Sequence, residues 1–577
     1  MSSFLEADGP DLSVFKQPLP INRIAGLIER YRIDRTTMDR KYPILLSQKG
    51  RERRRRFTQA WLASLESNDI DFESLNHEER LDHVMLQNHL RFVLRQLEKE
   101  DTFALEIAPL LPFLPAILGL ADARLALDWV EPSVAATELD RILTAVQSSE
   151  SELKSLDGLV GGTRPKRTVA NRAVEALASL RKMLKSWFEF YFGFDPMFTW
   201  WAEAPYRALD SSLEQYAETI KSLLVQMGES EANSAINGID IIGDPIGRDA
   251  LIDALKFEMI PYSPEELIRI AEKELAWCEA ELREASEELG FGADTDAALE
   301  HVKTLHVPPG GQPEMVKKLA LEAIDYLETN DLLTMPPLMK EAWRLEMMSP
   351  ERQLVNPFFL GGEMIQVSYP THTMSHERKQ MSMRGNNQHF SRATVQHELI
   401  PGHHVQFFMM ERYRPYRAPF QTPFWIEGWT IYWEFLLYSR GFPGSPENRI
   451  GMLFWRMHRC VRIIFSLSFH LERMSPTECI EMLVKRVGHE RANAVAEVRR
   501  SCGDAYPPLY QCAYLIGGLQ MWALRRELID SGKMTDRAFH DAVIQRNCIP
   551  IEMLRADLTG RQLPKEFVSS WRFYGDV

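Results

Sequence analysis

The stretch VQHELIPGHHVQ, Val395 to Gln406, decides how the rest of the chain is read. On a regular α-helix, residues i and i+4 share a face, so an H-E-x-x-H spacing sets two imidazoles side by side for a metal ion, with a carboxylate next to it. Here His397 and Glu398 are present, but the residue four beyond His397 is Pro401, and histidines return only at 403 and 404. Proline removes a backbone donor and glycine relaxes the chain, so Pro401-Gly402 predicts a local bulge or break. Two residues absorbed there would carry His403 back to where the second imidazole is needed. His404 is the competitor. Its spacing of two helical turns faces it the same way, but about 10 Å along the axis, too far to share one ion on a straight helix. The spacing favours His403.

Downstream, WIEGWTIYWEFLLY (Trp425 to Tyr438) carries Glu427 and Glu434 on one helical face. One carboxylate can bind a metal while the other holds the second ring nitrogen of a histidine. Both lie among Trp425, Trp429, Tyr432, Trp433 and Phe435, where an unpaired buried charge is costly and a cation would relieve it. Two histidines and one carboxylate leave an open position on a single zinc ion, and Glu398 is placed to take a proton from water. The same chain holds two decoys. His376-Glu377 is followed at the i+4 position by Gln380, and His489-Glu490 by Asn493.

Composition sets the frame. The 577 residues are 45% hydrophobic and 26% charged, and 13 Trp with 29 Phe imply extensive burial. A net charge of −14 argues against nucleic acid as the main partner. The six cysteines are scattered without a C-x-x-C pair and read as small core residues, which fits a reducing compartment. The first twenty residues, MSSFLEADGPDLSVFKQPLP, show no apolar core of a secretory signal. The longest apolar run, Ile107 to Leu120, contains three prolines and falls short of the roughly 20 residues needed to span a bilayer. It reads as a kinked core segment. A cytoplasmic location without a membrane partner is expected.

Helical periodicity dominates the chain, as in HVMLQNHLRFVLRQLEKE and PEELIRIAEKELAWCEAELREASEEL. Ser263-Pro264-Glu265-Glu266 marks a helix start, with an N-cap, a first-turn proline and two acids. The whole chain, 1–577, reads as one large helical catalytic domain. Its N-terminal part runs to about 305 and its metal-bearing part follows, with HVPPGGQPEM (His306 to Met315) as the junction or a loop. GGEMIQVSYP (Gly361 to Pro370) alternates and is bounded by glycines and proline, so it reads as a short strand or hairpin. The basic run KGRERRRR (Lys49 to Arg56) reads as a solvated helix face.

HELIPGHH followed by EGWTIYWE resembles the signature of the bacterial DUF885 proteins, which are related to zinc metallopeptidases. MRGNNQHFSRAT, FTWWAEAPY, DPIGRDALIDALKFEMIPYSPEELI and PLYQCAYLIGGLQMWALRREL look like further segments of that family, so the likeness spans roughly 190–570. It implies a mainly α, zincin-like fold similar to the M3 oligopeptidases and M32 carboxypeptidases, with a deep central groove and a small β-hairpin or sheet at the cleft edge. By the same match Glu427 is the ligand and Glu434 its support. Tyr514, with Tyr510 behind it, would stabilise the oxyanion, and His470 falls where the family tends to place a histidine. Gln366, Val367 and Ser368 would then edge the cleft and pair with an extended substrate. The expected activity is zinc-dependent hydrolysis of peptide or other amide bonds. The rivals are an iron(II) oxygenase using two histidines and a carboxylate, and a binding module that has lost catalysis.

Overall fold

A computed structural model describes residues 22–155, 157–226, 241–353, 359–361, 364–503 and 506–575. The N-terminal stretch read above for a signal lies outside them. Contacts group the chain into two units: Glu29–Asp71 with Gln87–Ile242, and Met1–Ile28 with Phe72–Leu86 and Gly243–Val577. The sequence division near 305 falls inside the second unit, where His306 to Gly311 is a loop entering the helix Gln312–Thr329. No described helix is long and apolar enough to cross a membrane.

The first unit is helical. Ala173, Leu177, Leu180, Leu184 and Trp187 form the buried stripe of the helix Arg167–Tyr191, at the spacing an amphipathic helix requires. The helix Pro196–Ile220 packs on it and is started by Asp195, whose carboxylate accepts the N–H groups of Met197 and Phe198. Leu110, Leu111, Phe113 and Ile117 are core residues, as the proline-kinked run predicts. The basic run departs from its reading as a solvated face. Arg51 is buried and bonds Asp101 at 2.6 Å, Arg55 joins the same carboxylate, and Arg54 reaches Asp39 at 3.1 Å. Distant acids pull the stripe inward.

The second unit holds the histidine motif. The expected N-cap at Ser263 starts the helix Pro264–Glu288, and Glu266 completes a capping box with it. Six further helices frame the site: α1 (Gln388–Glu398), α2 (His403–Met410), α3 (Pro423–Ser439), α4 (Pro446–His470), α5 (Arg491–Cys502) and α6 (Tyr510–Arg525). From Ile450 to His470 every residue of α4 except Arg456 is buried, and α3 is buried from Phe424 to Leu437 except at Ile426. A charge on a helix enclosed on all sides is costly unless paired, and Arg462 meets Glu497. α3 and α6 touch backbone to backbone. A Cβ on Gly428 would lie 2.6 Å from the carbonyl carbon of Gly517, so both positions require glycine.

A three-stranded sheet lies behind α1, ordered β1 (Arg344–Met347), β3 (Met364–Val367), β2 (Phe359–Leu360). β3 pairs in parallel with β1, Leu345 opposite Ile365, and antiparallel with β2, Phe359 opposite Val367. The strand expected at 361–370 is therefore present, but in the middle of the sheet. Gln366 and Val367 have neighbours on both sides, so the role assigned to Gln366, Val367 and Ser368 as a substrate-pairing edge does not hold. Ile365 and Val367 pack instead with Val395 and Leu399.

Candidate metal centre

The helix carrying His397 stops where the sequence predicts a break. α1 ends at Glu398, and Leu399 to Gly402 turn the chain before α2 restarts at His403. The turn includes a cis Ile400–Pro401 peptide and is held to α3 by the Trp429 indole, which donates to the Pro401 carbonyl at 2.8 Å. Only glycine fits at 402, because a Cβ there would lie 1.8 Å from the His397 carbonyl oxygen. The chain folds back over the last turn of α1, and this brings the two imidazole centroids to 4.9 Å.

Glu427 closes the cluster. Its Oε2 lies 3.4 Å from Nε2 of His397 and 3.4 Å from Nε2 of His403. All three residues are buried, and His397, His403 and Glu427 each offer one ligand atom to a common point. Despite that proximity, Glu427 Oε2 accepts no hydrogen bond. The opposite ring nitrogens are occupied: His397 Nδ1 meets Glu434 Oε1 at 2.8 Å, and His403 Nδ1 meets Gln406 Oε1 at 2.8 Å. Acceptors on both Nδ1 atoms turn the two Nε2 atoms towards the cluster, the orientation a metal-binding imidazole needs. Burial opposes a charged His397, but Glu427 and Glu434 outweigh it and raise its pKa to about 9. Burial likewise opposes an ionised Glu427, yet the two imidazoles hold its carboxyl well below the usual range. A divalent cation would satisfy the same carboxylate with both rings neutral.

The cluster opens into a cavity of 330 Å³, at the small end of ligand sites. Glu398 lines it, with Oε2 4.0 Å from His403 Nε2. Gly361 gives that carboxylate its room, since a Cβ there would stand 1.9 Å from Oε2. Tyr510 and Tyr514 come from α6 along the same wall. The Tyr510 hydroxyl donates to Glu427 Oε1 at 2.7 Å, and the Tyr514 ring faces the His397 imidazole at 6.2 Å. Burial first and the Glu427 charge second raise both phenols above their ordinary pKa, keeping them as donors.

His404 points elsewhere and bonds the Met339 carbonyl through Nε2 at 2.8 Å. His470 is buried at the end of α4, beside Phe469, and does not line the cavity. Gln406, Gly361 and Thr430 escape the sequence reading. The Thr430 hydroxyl lies 3.3 Å from His397 Nε2 and donates to the Glu427 carbonyl at 2.7 Å. Gln406 had a usable signal, three residues after His403 on a helix restarting there. Arg459 and Arg462, also in the cavity wall, had none.

A family model described as "Bacterial protein of unknown function (DUF885)" matches residues 26–558, reaching well before the stretch where motifs carry the resemblance. No curated protein matches the chain. Among solved structures, a candidate lipoprotein of unknown function from Shewanella oneidensis is 15% identical with a TM-score of 0.67, over 94% of this chain and 100% of that one. A candidate lipoprotein from Colwellia psychrerythraea is 15% identical with a TM-score of 0.55, over 93% of this chain and 98% of that one. At this identity the likeness is one of fold.

Proposed function

The chain belongs to the DUF885 family, and from that premise we propose that it is a zinc-dependent hydrolase of peptide or other amide bonds on a zincin-like helical fold. One observation carries the reading: Glu427 Oε2 is buried, stands 3.4 Å from two imidazole nitrogens and is bonded to neither. Around a tetrahedral zinc with ligands at about 2.0–2.1 Å, neighbouring donor atoms sit about 3.3 Å apart. Two of the three donor separations have that length. His397, His403 and Glu427 would hold the ion, with Glu434 and Gln406 orienting the rings.

Zinc bound there would act as a Lewis acid towards the scissile carbonyl and make water a better nucleophile. Glu398 takes the proton of the attacking water and returns it to the leaving nitrogen as the C–N bond breaks. One water is consumed, and one amine and one carboxylic acid are released. Tyr514, kept protonated, would donate to the oxygen that gains negative charge, with Tyr510 behind it holding the Glu427 carboxylate through Oε1. An iron oxygenase using the same three ligands has no need of Glu398 at the mouth of the cluster, and that carboxylate favours hydrolysis. The net charge of −14 suits a small peptide or amide substrate rather than nucleic acid. As to location, the descriptions of both fold relatives as candidate lipoproteins favour an exported or anchored protein over the cytoplasmic one expected from composition. Cell fractionation separates the two.

The test is Glu398→Gln. The variant should bind zinc as the parent does while amide turnover falls by roughly 10³-fold. Retained turnover would remove Glu398 as the base, and a parent protein that neither binds zinc nor cleaves amides would remove the reading altogether.

A further inference from the structure

Two arginines one turn apart on α4, Arg459 and Arg462, both face the Tyr514 ring, each guanidinium carbon 4.8 Å from its centroid. Their partners differ. Glu497 clamps Arg462 with hydrogen bonds of 2.6 and 3.0 Å, and Arg500 takes the same carboxylate at 2.6 Å. Arg459 is 7% exposed, lines the cavity, and has no carboxylate partner among the described residues. Its Nε lacks an acceptor, as does Nη1 of Arg462. The Arg459 guanidinium rests against the rings of Trp455 and Tyr514 instead.

A guanidinium buried beside another one, without an anion, is an expensive arrangement that packing alone does not explain. Burial and then the charge of Arg462 pull the Arg459 pKa down by more than the nearby Glu434 and Glu427 raise it, so a bound anion would be favoured. The planar fork of arginine matches a carboxylate through two parallel N–H bonds, and aromatic faces hold that plane in place. The position has consequences for chemistry as well. The Tyr514 ring that touches Arg459 also faces His397 at 6.2 Å, so one aromatic ring borders both the guanidinium and the ligand cluster.

We propose that Arg459, assisted by Arg462, binds the free C-terminal carboxylate of the substrate, so that the amide cleaved is the one joining the last amino acid to the rest of the molecule. Short peptides and N-acyl amino acids share that chemistry, and a 330 Å³ cavity suits molecules of this size. The reaction releases a free amino acid whose carboxylate was present from the start. This assignment deepens the hydrolase reading and rests on it for the cleavage, but the carboxylate site itself can be tested by binding.

The experiment uses the full-length Glu398→Gln protein loaded with zinc, so that bound molecules persist. Calorimetry measures a panel of N-acetyl dipeptides with apolar, polar, basic and acidic last residues, each as the free acid and as the C-terminal amide. At least one free acid should bind about 30-fold or more tightly than its amide. Adding Arg459→Met should abolish that preference at unchanged zinc content. It should also leave the melting temperature equal or higher, because an unpaired buried charge is gone. Arg459→Lys should restore part of the preference. Equal binding of acids and amides, or no binding by any acid, would overturn the proposal. So would a preference that survives Arg459→Met, since the carboxylate would then sit on the metal. Amides with an acidic last residue binding as well as free acids would move the contact to a side chain and also overturn it. If the preference depends on Arg459 while the parent cleaves none of the panel, the hydrolase reading falls and the carboxylate site stands.

Discussion

Glu434 grips His397 by the ring nitrogen turned away from the ligand cluster: its Oε1 lies 2.8 Å from Nδ1, while Nε2 of the same ring lies 3.4 Å from Glu427 Oε2. The carboxylate fixes both the tautomer and the direction of the ring. Glu434→Gln keeps the volume but removes the charge. Zinc affinity, measured by competition with a chelator, should fall about 10–100-fold with the protein still folded. Unchanged affinity would make Glu434 a structural residue only.

The two adjacent histidines make a second prediction, because they differ by what they bond. His403 faces Glu427 Oε2 and His404 bonds the Met339 carbonyl. His403→Ala should lose zinc binding. His404→Ala should retain it and lose on the order of 1 kcal/mol of stability, the usual worth of one buried hydrogen bond, measured by urea unfolding with zinc content read in parallel.

Local spacing made this centre legible. His397, Glu398 and His403 lie within seven residues, and Pro401-Gly402 announces its own break, so short-range stereochemistry settles their grouping. Glu427 and Glu434 were legible as a pair because a separation of seven fixes a shared helical face. Arg459 and Arg462 lay hidden because only the packing of α4 against α6 brings them to Tyr514. The sheet was partly hidden too. Alternation between bounding glycines and proline reveals β3, but β1 alternates over only four residues, Arg344 to Met347, without such bounds, and β2 is only two residues long, so neither neighbour stands out. The basic run misled for the same reason, since Asp39 and Asp101 pair with it from elsewhere in the chain.

Gly361 supplies a test of geometry rather than of ligands. An added methyl would stand 1.9 Å from the Glu398 carboxylate, the flexible end of a side chain, and press only lightly on the His403 ring, 3.2 Å from its Cδ2. Gly361→Ala should keep zinc and cost no more than about 1 kcal/mol of stability. The kcat/KM for amide cleavage should fall about 10²-fold or more, the share owed to general base catalysis. A variant with parental kcat/KM would contradict the assigned position of the base.

Glu258 gives a pH dependence with a fixed sign. Its carboxylate accepts from the Thr422 hydroxyl, and Thr422 in turn caps α3 by accepting the N–H of Phe424. Burial outweighs that hydrogen bond and pushes the Glu258 pKa up to about 7. Between the ordinary value near 4.5 and about 7, the folded protein keeps a proton that the unfolded chain has released. This group's contribution to stability should therefore fall as pH rises through that window and level off above it, by up to about 3 kcal/mol. Glu258→Gln removes the titration. Parent and variant should have similar urea midpoints at pH 4.5, with the variant more stable at pH 8, whereas parallel profiles would exclude the effect.

The most direct measurement is anomalous X-ray scattering, at the zinc absorption edge, from crystals of the zinc-loaded protein. The expected result is a single peak about 2.0–2.1 Å from Nε2 of His397, Nε2 of His403 and a carboxylate oxygen of Glu427, with Glu398 beside it and His404 remote. A peak elsewhere, ligation by His404, or no peak in the cluster at saturating zinc would contradict the metal centre on which the proposed chemistry depends.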